Sequence, residues 1–284
     1  MSGGVIDYWC NAFTPDRERV WHAALESQGL KIRLGGAARD GFANASDMVA
    51  RMDAAGVETL VLPTCELPPG AGPTDFESVA TRPDELASLR SDAPGRFEGA
   101  WSFDPRTGSA GLARAREALD AGAVALHLHT HSYDLRFDAA EQYPFYALAA
   151  EYGVAVVMQA GTSGGLMPSE CGQPIGIDRP ALYFPEVSFV LSHLGWPWVD
   201  EAAAMAVKFP NVFLGTATWA PRHWPPAVVD FVRGPGARKV CFGSGFPLVS
   251  HADAIAEVRA LDLGEAENAV LHGNIRGLLG RGNS

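Results

Sequence analysis

The stretch LARAREALDAGAVALHLH, Leu112–His129, holds a helix, a turn and a strand in succession, and its reading decides the fold. Leu112–Ala121 carries apolar residues at helical spacing, Ala121-Gly122 supplies a turn, and Val124–His129 is a short run suited to a strand. The same succession returns in PFYALAAEYGVAVVMQ, Pro144–Gln159, where Tyr152-Gly153 divides helix from strand Val154–Gln159. It returns again where helix Asp200–Phe209 passes through Pro210-Asn211 into strand Val212–Thr216. Working outward, the remaining strands are expected at Val5–Asn11, Val57–Pro63, Phe97–Phe103, Ser188–His193 and Val240–Gly243, with helices at Ser46–Ala55 and Asp75–Leu89. Strands alternating with helices imply right-handed βαβ units and a parallel sheet. Eight such units in 284 residues predict one α/β domain over residues 1–284, a (β/α)8 TIM barrel, with a doubly wound open sheet as the alternative. Ser27–Phe42 and Thr162–Pro180 exceed the minimal pattern and are expected as loop insertions at the C-terminal face, where barrels place substrate lids.

Composition narrows the function. At 47% apolar residues the chain can bury a full core, and 22 Lys+Arg against 33 Asp+Glu give a net charge of −11. Such a surface disfavours nucleic acid and anionic membranes as partners. No apolar run reaches the ~18 residues of a membrane span, and the opening residues lack the basic and apolar regions of a signal peptide. Cys10, Cys65, Cys171 and Cys241 show no paired spacing. A cytoplasmic protein that binds a small molecule is expected, with homo-oligomerisation left open. Only Lys31 of the three lysines could reach the barrel mouth, which argues against Schiff-base chemistry.

His127, His129 and His131 share one face of their strand by alternation, ~6.6 Å apart, and should point into the barrel. They are candidates for acid–base or oxyanion roles, or for hydrogen-bonded core positions. Asp7 shares parity with Trp9 and Asn11, so it is expected inside the barrel below them, orienting His129 or His193 or serving as a structural carboxylate. Cys10 should point outward into packing and Cys241 inward. Gly161–Gly165 matches G-x-S-x-G, but Leu166-Met167-Pro168 does not open the helix that a nucleophile elbow requires. Aromatic residues gathered at the mouth, including Trp9, Trp101, Trp196 and Trp219, favour a flat or apolar ligand. Arg136 and Arg222, in mouth loops, read as surface residues or as carboxylate binders.

Ala125-Leu126-His127-Leu128-His129, Leu191-Ser192-His193-Leu194-Gly195, Trp196-Pro197-Trp198, Phe242-Gly243-Ser244-Gly245-Phe246-Pro247 and the tail Gly273–Gly280 occur in the order seen in a known family. With Val5-Ile6-Asp7 at the start, the chain resembles the amidohydrolase-related family, in the branch of the aminocarboxymuconate-semialdehyde decarboxylase type. The resemblance implies the barrel and a zinc held by a His-x-His pair on strand one, a His ending strand five and an Asp in the last strand. Those positions are here Trp9 and Asn11, Gln159, and Gly245; His193 is retained. The expectation is therefore that the zinc site is lost and no cofactor is used, with a relocated metal on His129 and His193 left open. A metal-independent hydrolase acting on a small aromatic or cyclic substrate is expected. A decarboxylase, lyase or cyclase and a non-catalytic binding protein are the alternatives. His193, His129, His127 and Asp7 are the candidate catalytic residues, and Trp9, Asn11, Gln159, Trp101, Trp196 and Trp219 the candidate substrate contacts.

Overall fold

The computed structural model describes residues 3–27, 40–66 and 79–279. In chain order the main elements are β1 (Val5–Asp7), α1 (Pro15–Ser27), α2 (Ala45–Ala55), β2 (Val57–Glu66), α3 (Pro83–Asp92), β3 (Phe97–Phe103), α4 (Ser109–Asp120) and β4 (Ala125–Leu128). They continue through α5 (Tyr143–Tyr152), β5 (Ala155–Met158), β6 (Phe189–Leu191), α6 (Val199–Lys208), β7 (Val212–Gly215), α7 (Pro226–Arg233), β8 (Val240–Cys241) and α8 (His251–Ala260). The eight strands form one parallel sheet in sequential order. Its edges meet where Tyr8 N donates to Phe242 O at 3.1 Å, Gly245 N to Trp9 O at 2.9 Å and Asn11 N to Phe246 O at 2.8 Å. The expected barrel is the architecture found.

Helix-to-strand turns work through local chemistry. Gly56 takes φ 74°, and its N–H reaches back to Met52 O and Asp53 O, ending α2 one residue before β2. The helix expected over Asp75–Leu89 instead runs from Pro83, because proline is accommodated in the first helical turn and would break an interior; residues 75–78 lie outside the described ones. Most of the Ser27–Phe42 insertion also lies outside them. Thr162–Pro180 is an irregular loop with short 3-10 turns, running into the short helix Asp178–Tyr183.

Alternation along the strands separates two cores. Leu126, Leu128, Val156, Met158, Phe189 and Leu191 join the layer between sheet and helices, while Ala125, Val157, Val190 and Cys241 fill the barrel interior. Cys10 packs in the outer layer. Among the described residues, no helix is long and apolar enough to cross a membrane.

β1 departs from the expected parity. Its register shifts between Val5 and Ile6, and Ile6, Tyr8 and Trp9 are the residues that fill the interior. Asp7 faces the strand–helix side, 3.3 Å from Nε2 of His251 at the start of α8. A short strand ending at Asp7 does not hold strict alternation through Asn11.

Candidate active site at the barrel mouth

β6 ends at Leu191 and the chain turns sharply at its C-terminal end. His193 and Leu194 adopt φ 57° and 52°, left-handed conformations that cost non-glycine residues about 1–3 kcal/mol each. Burial of Leu194 and a 2.7 Å hydrogen bond from His193 Nδ1–H to Ala217 O hold the turn. Donation from Nδ1 leaves the lone pair on Nε2, which is sealed from solvent and has no partner. Burial lowers the His193 pKa to about 4, against the opposing pull of the Ala217 carbonyl, so the ring is neutral at pH 7.

Burial also lowers the pKa of His127, His129 and His131. His127, inside β4, is brought by burial and by His193 to about 3. Burial, with lesser repulsion from His127, His131 and His193, also pushes His129 well down. His129 follows the end of β4, its Nδ1 2.6 Å from Ser132 Oγ. His131 does not continue the strand face. It lies in the one-turn helix Thr130–Tyr133, where its Nε2–H donates to Gly161 O at 2.9 Å. Ring centroids are 6.2 Å apart for His127–His129 and 6.3 Å for His129–His131.

Trp9 and Asn11 form a linked pair, with Trp9 Nε1–H donating to Asn11 Oδ1 at 3.0 Å. The Trp9 ring lies 4.5 Å from that of His127 and 5.0 Å from that of His193. Gly245 has φ 67°, and a Cβ there would stand 2.5 Å from Thr218 N and 2.8 Å from Thr218 Cα. No side chain fits at that position with this backbone.

These strand ends surround a cavity of about 390 Å³, a volume suited to a small ligand. Of the expected contacts, Trp9, Asn11, His129, Gln159, His193, Trp196 and Trp219 line it. Asp7, His127 and Trp101 do not. Trp101 packs against the outer core and stacks on Phe103 at 6.0 Å. The Asp7 carboxylate accepts from Trp9 N and Ser244 N, both at 3.0 Å, and from Ser244 Oγ; it touches neither His129 nor His193. Unanticipated lining comes from Trp21, Ala24 and Leu25 of α1 and from Met167. The i, i+3, i+4 spacing of the α1 residues was the available signal, an apolar stripe with no obvious core partner. The described lining carries no Asp, Glu, Lys or Arg. Arg136 pairs with Asp138, and Arg222 with Glu257. A cavity of about 280 Å³ lies at the other barrel end, by Thr59 and Arg276, but Arg276 is already bound to Glu58 and no strand C-terminus opens there.

An amidohydrolase family model matches residues 7–281. The sequence matches no curated protein. An uncharacterized TIM-barrel protein from Bordetella bronchiseptica superposes with a TM-score of 0.77 at 22% identity, covering 97% of this chain and 98% of that one. A 2,6-dihydroxybenzoate decarboxylase from Rhizobium gives 0.67 at 17%, over 98% of each chain. A 5-carboxyvanillate decarboxylase from Novosphingobium aromaticivorans, complexed with manganese and a nitrobenzoic acid, gives 0.67 at 16%, over 98% of this chain and 96% of that one.

The expectation of a cofactor-free protein is corrected by the manganese bound in such 5-carboxyvanillate decarboxylase neighbours. The residues of this mouth are a different matter. Asn11 Oδ1 already accepts from Trp9, and Gly245 offers no donor atom. Among the described residues, no three His, Cys, Asp or Glu side chains come together as metal ligands, so His129 and His193 lack a third. Two imidazoles without a third protein ligand fall short of the three that a catalytic divalent cation takes.

Proposed function

The chain belongs to the amidohydrolase family, and from that premise we propose that it is a lyase of the decarboxylase type, acting on a small flat carboxylic acid in the mouth cavity. The observation that carries the reading is an uncharged cavity wall that includes a neutral imidazole with an unshared Nε2 lone pair, that of His193. A carboxylate entering such a wall meets no cation among the described lining residues, so its neutral acid form is favoured. His193 Nε2 accepts the carboxyl proton, the carbon–carbon bond breaks with its electron pair retained on the ring, and CO2 leaves. The imidazolium then gives the same proton to the vacated carbon. An imidazolium of pKa about 4 is a ready acid, which favours this return.

Neighbours whose names specify dihydroxybenzoate and carboxyvanillate decarboxylation support this reading over the hydrolase expected from sequence. Buried free thiols at Cys10, Cys171 and Cys241 suit action in a reducing cytoplasm. The test is incubation with hydroxybenzoic and related cyclic acids, following CO2 release and, in D2O, entry of one deuterium at the vacated carbon. Cleavage of lactones or amides without CO2 would replace the reading with a hydrolase. Binding without turnover would replace it with a binding protein.

A further inference from the structure

Three residues of the mouth cavity wall hold polar atoms that are buried and without a hydrogen-bond partner. Two are donors, the indole N–H groups of Trp21 on α1 and of Trp219 after β7; one is an acceptor, His193 Nε2. The Gln159 side chain, on the same wall, is engaged by His131. Buried polar groups are nearly always paired, and unpaired ones raise the free energy of the site until something pairs them. All three are closed to solvent, so water does not compensate them. By contrast, Trp224 of the same loop donates its indole N–H to Trp219 O at 2.8 Å, and Trp9 donates to Asn11. Trp219 also stacks at a tilt on Trp196, with centroids 5.0 Å apart, which gives the wall a flat aromatic surface.

We infer that Trp21 and Trp219 are specificity-determining donors, and His193 the matching acceptor, for an uncharged planar ring bearing both a carbonyl-type oxygen and a hydroxyl. The carbonyl oxygen accepts from the indoles, and the hydroxyl donates to His193 Nε2. Indole χ2 is a broad torsion, so modest ring rotation brings each N–H to a ligand oxygen. This recognition rests on the mouth cavity being the ligand site, as in the proposed function, but not on decarboxylation.

Four neutral probes separate the contributions by isothermal titration: methyl 4-hydroxybenzoate (donor and carbonyl acceptor), methyl benzoate (carbonyl acceptor, no donor), phenol (donor, no carbonyl) and toluene (neither). The hydroxy-ester should bind tightest and toluene weakest. Trp21→Phe and Trp219→Phe keep an aromatic ring and remove the N–H. Each should weaken both esters about threefold to tenfold and leave phenol and toluene unchanged. His193→Leu should show the opposite pattern, weakening the hydroxy-ester and phenol while sparing methyl benzoate. Unchanged toluene affinity in each variant excludes simple misfolding. Equal affinity for all four probes, no binding of any, or a uniform loss across probes in every variant would overturn the inference. CO2 release plays no part in this readout, so failure of the proposed chemistry leaves the binding pattern separately testable.

Discussion

Along the seam between β8 and β1, Asp7 accepts from Trp9 N, Ser244 N and Ser244 Oγ, Ser244 Oγ accepts from Phe246 N, and Asn11 accepts from the Trp9 indole. Across the mouth, at the end of β6 and after β7, His193 Nε2 and Trp219 Nε1 stand unpartnered. Both sectors are buried, so solvent does not account for the difference. A satisfied network rigidifies the place where the barrel closes; an unsatisfied one keeps binding capacity for a ligand. The seam is therefore expected to govern stability and the opposite sector to govern chemistry.

The sharpest way to break that division is His193→Asn. On any acid the protein turns over, it should lower kcat by about 10²–10⁴-fold, the usual loss of a general acid–base group. Its urea midpoint should stay close to the parent's. A kcat within a few-fold of the parent would remove His193 from catalysis. Asp7→Ala should act on the other side, costing about 3–5 kcal/mol in equilibrium unfolding because buried N–H and hydroxyl donors lose their acceptor. A loss below about 1 kcal/mol would mean that the seam is not the anchor proposed.

Two glycines sharpen the same contrast. Gly245 and Gly56 have similar φ, 67° and 74°, but a Cβ at Gly56 meets nothing within 4 Å. Gly56→Ala should cost only the backbone strain, about 1–2 kcal/mol. Gly245→Ala adds a collision with Thr218 and should cost about 2–4 kcal/mol. Thermal melts of the two variants compare them directly.

The smallest effect is in pH. His193 and His127 titrate at about 4 and about 3 when folded, below their ordinary 6.5. Below pH 6.5 the unfolded chain therefore binds protons that the folded chain does not. The stability held above that pH is lost progressively as pH falls toward 4 for His193 and toward 3 for His127. Each contributes a slope of up to about 1.4 kcal/mol per pH unit. Urea titrations at pH 7.5 and 5.5 should show this loss, and His193→Asn should reduce it.

Period and turn chemistry make the eight strands and their order legible in the chain, because Gly56, Gly122, Gly153 and Pro210-Asn211 mark strand entries locally. The strand-end positions Trp9, Asn11, His129, Gln159 and His193 are legible at the mouth for the same reason, since every strand of a parallel barrel ends on one face. Asp7 misleads because parity assumes regular pairing, and β1 shifts register after Val5. Trp101 misleads because being near a strand end does not specify which face a side chain takes. His131 leaves the strand for a helical turn, a choice made by its contact with Gly161 thirty residues away.

The sequence by itself determined the barrel, the succession of its units and which residues terminate its strands, because these depend on short-range periodicity and turn geometry. Only the tertiary structure decided which polar atoms in the mouth are paired. It paired Asp7 with Ser244 across 237 residues, locked Trp9 to Asn11, closed the space beside Gly245 with Thr218, and left His193 Nε2 and the Trp21 and Trp219 indoles open. Hydrogen bonding and steric fit are properties of atoms brought together in space, and chain spacing does not encode them.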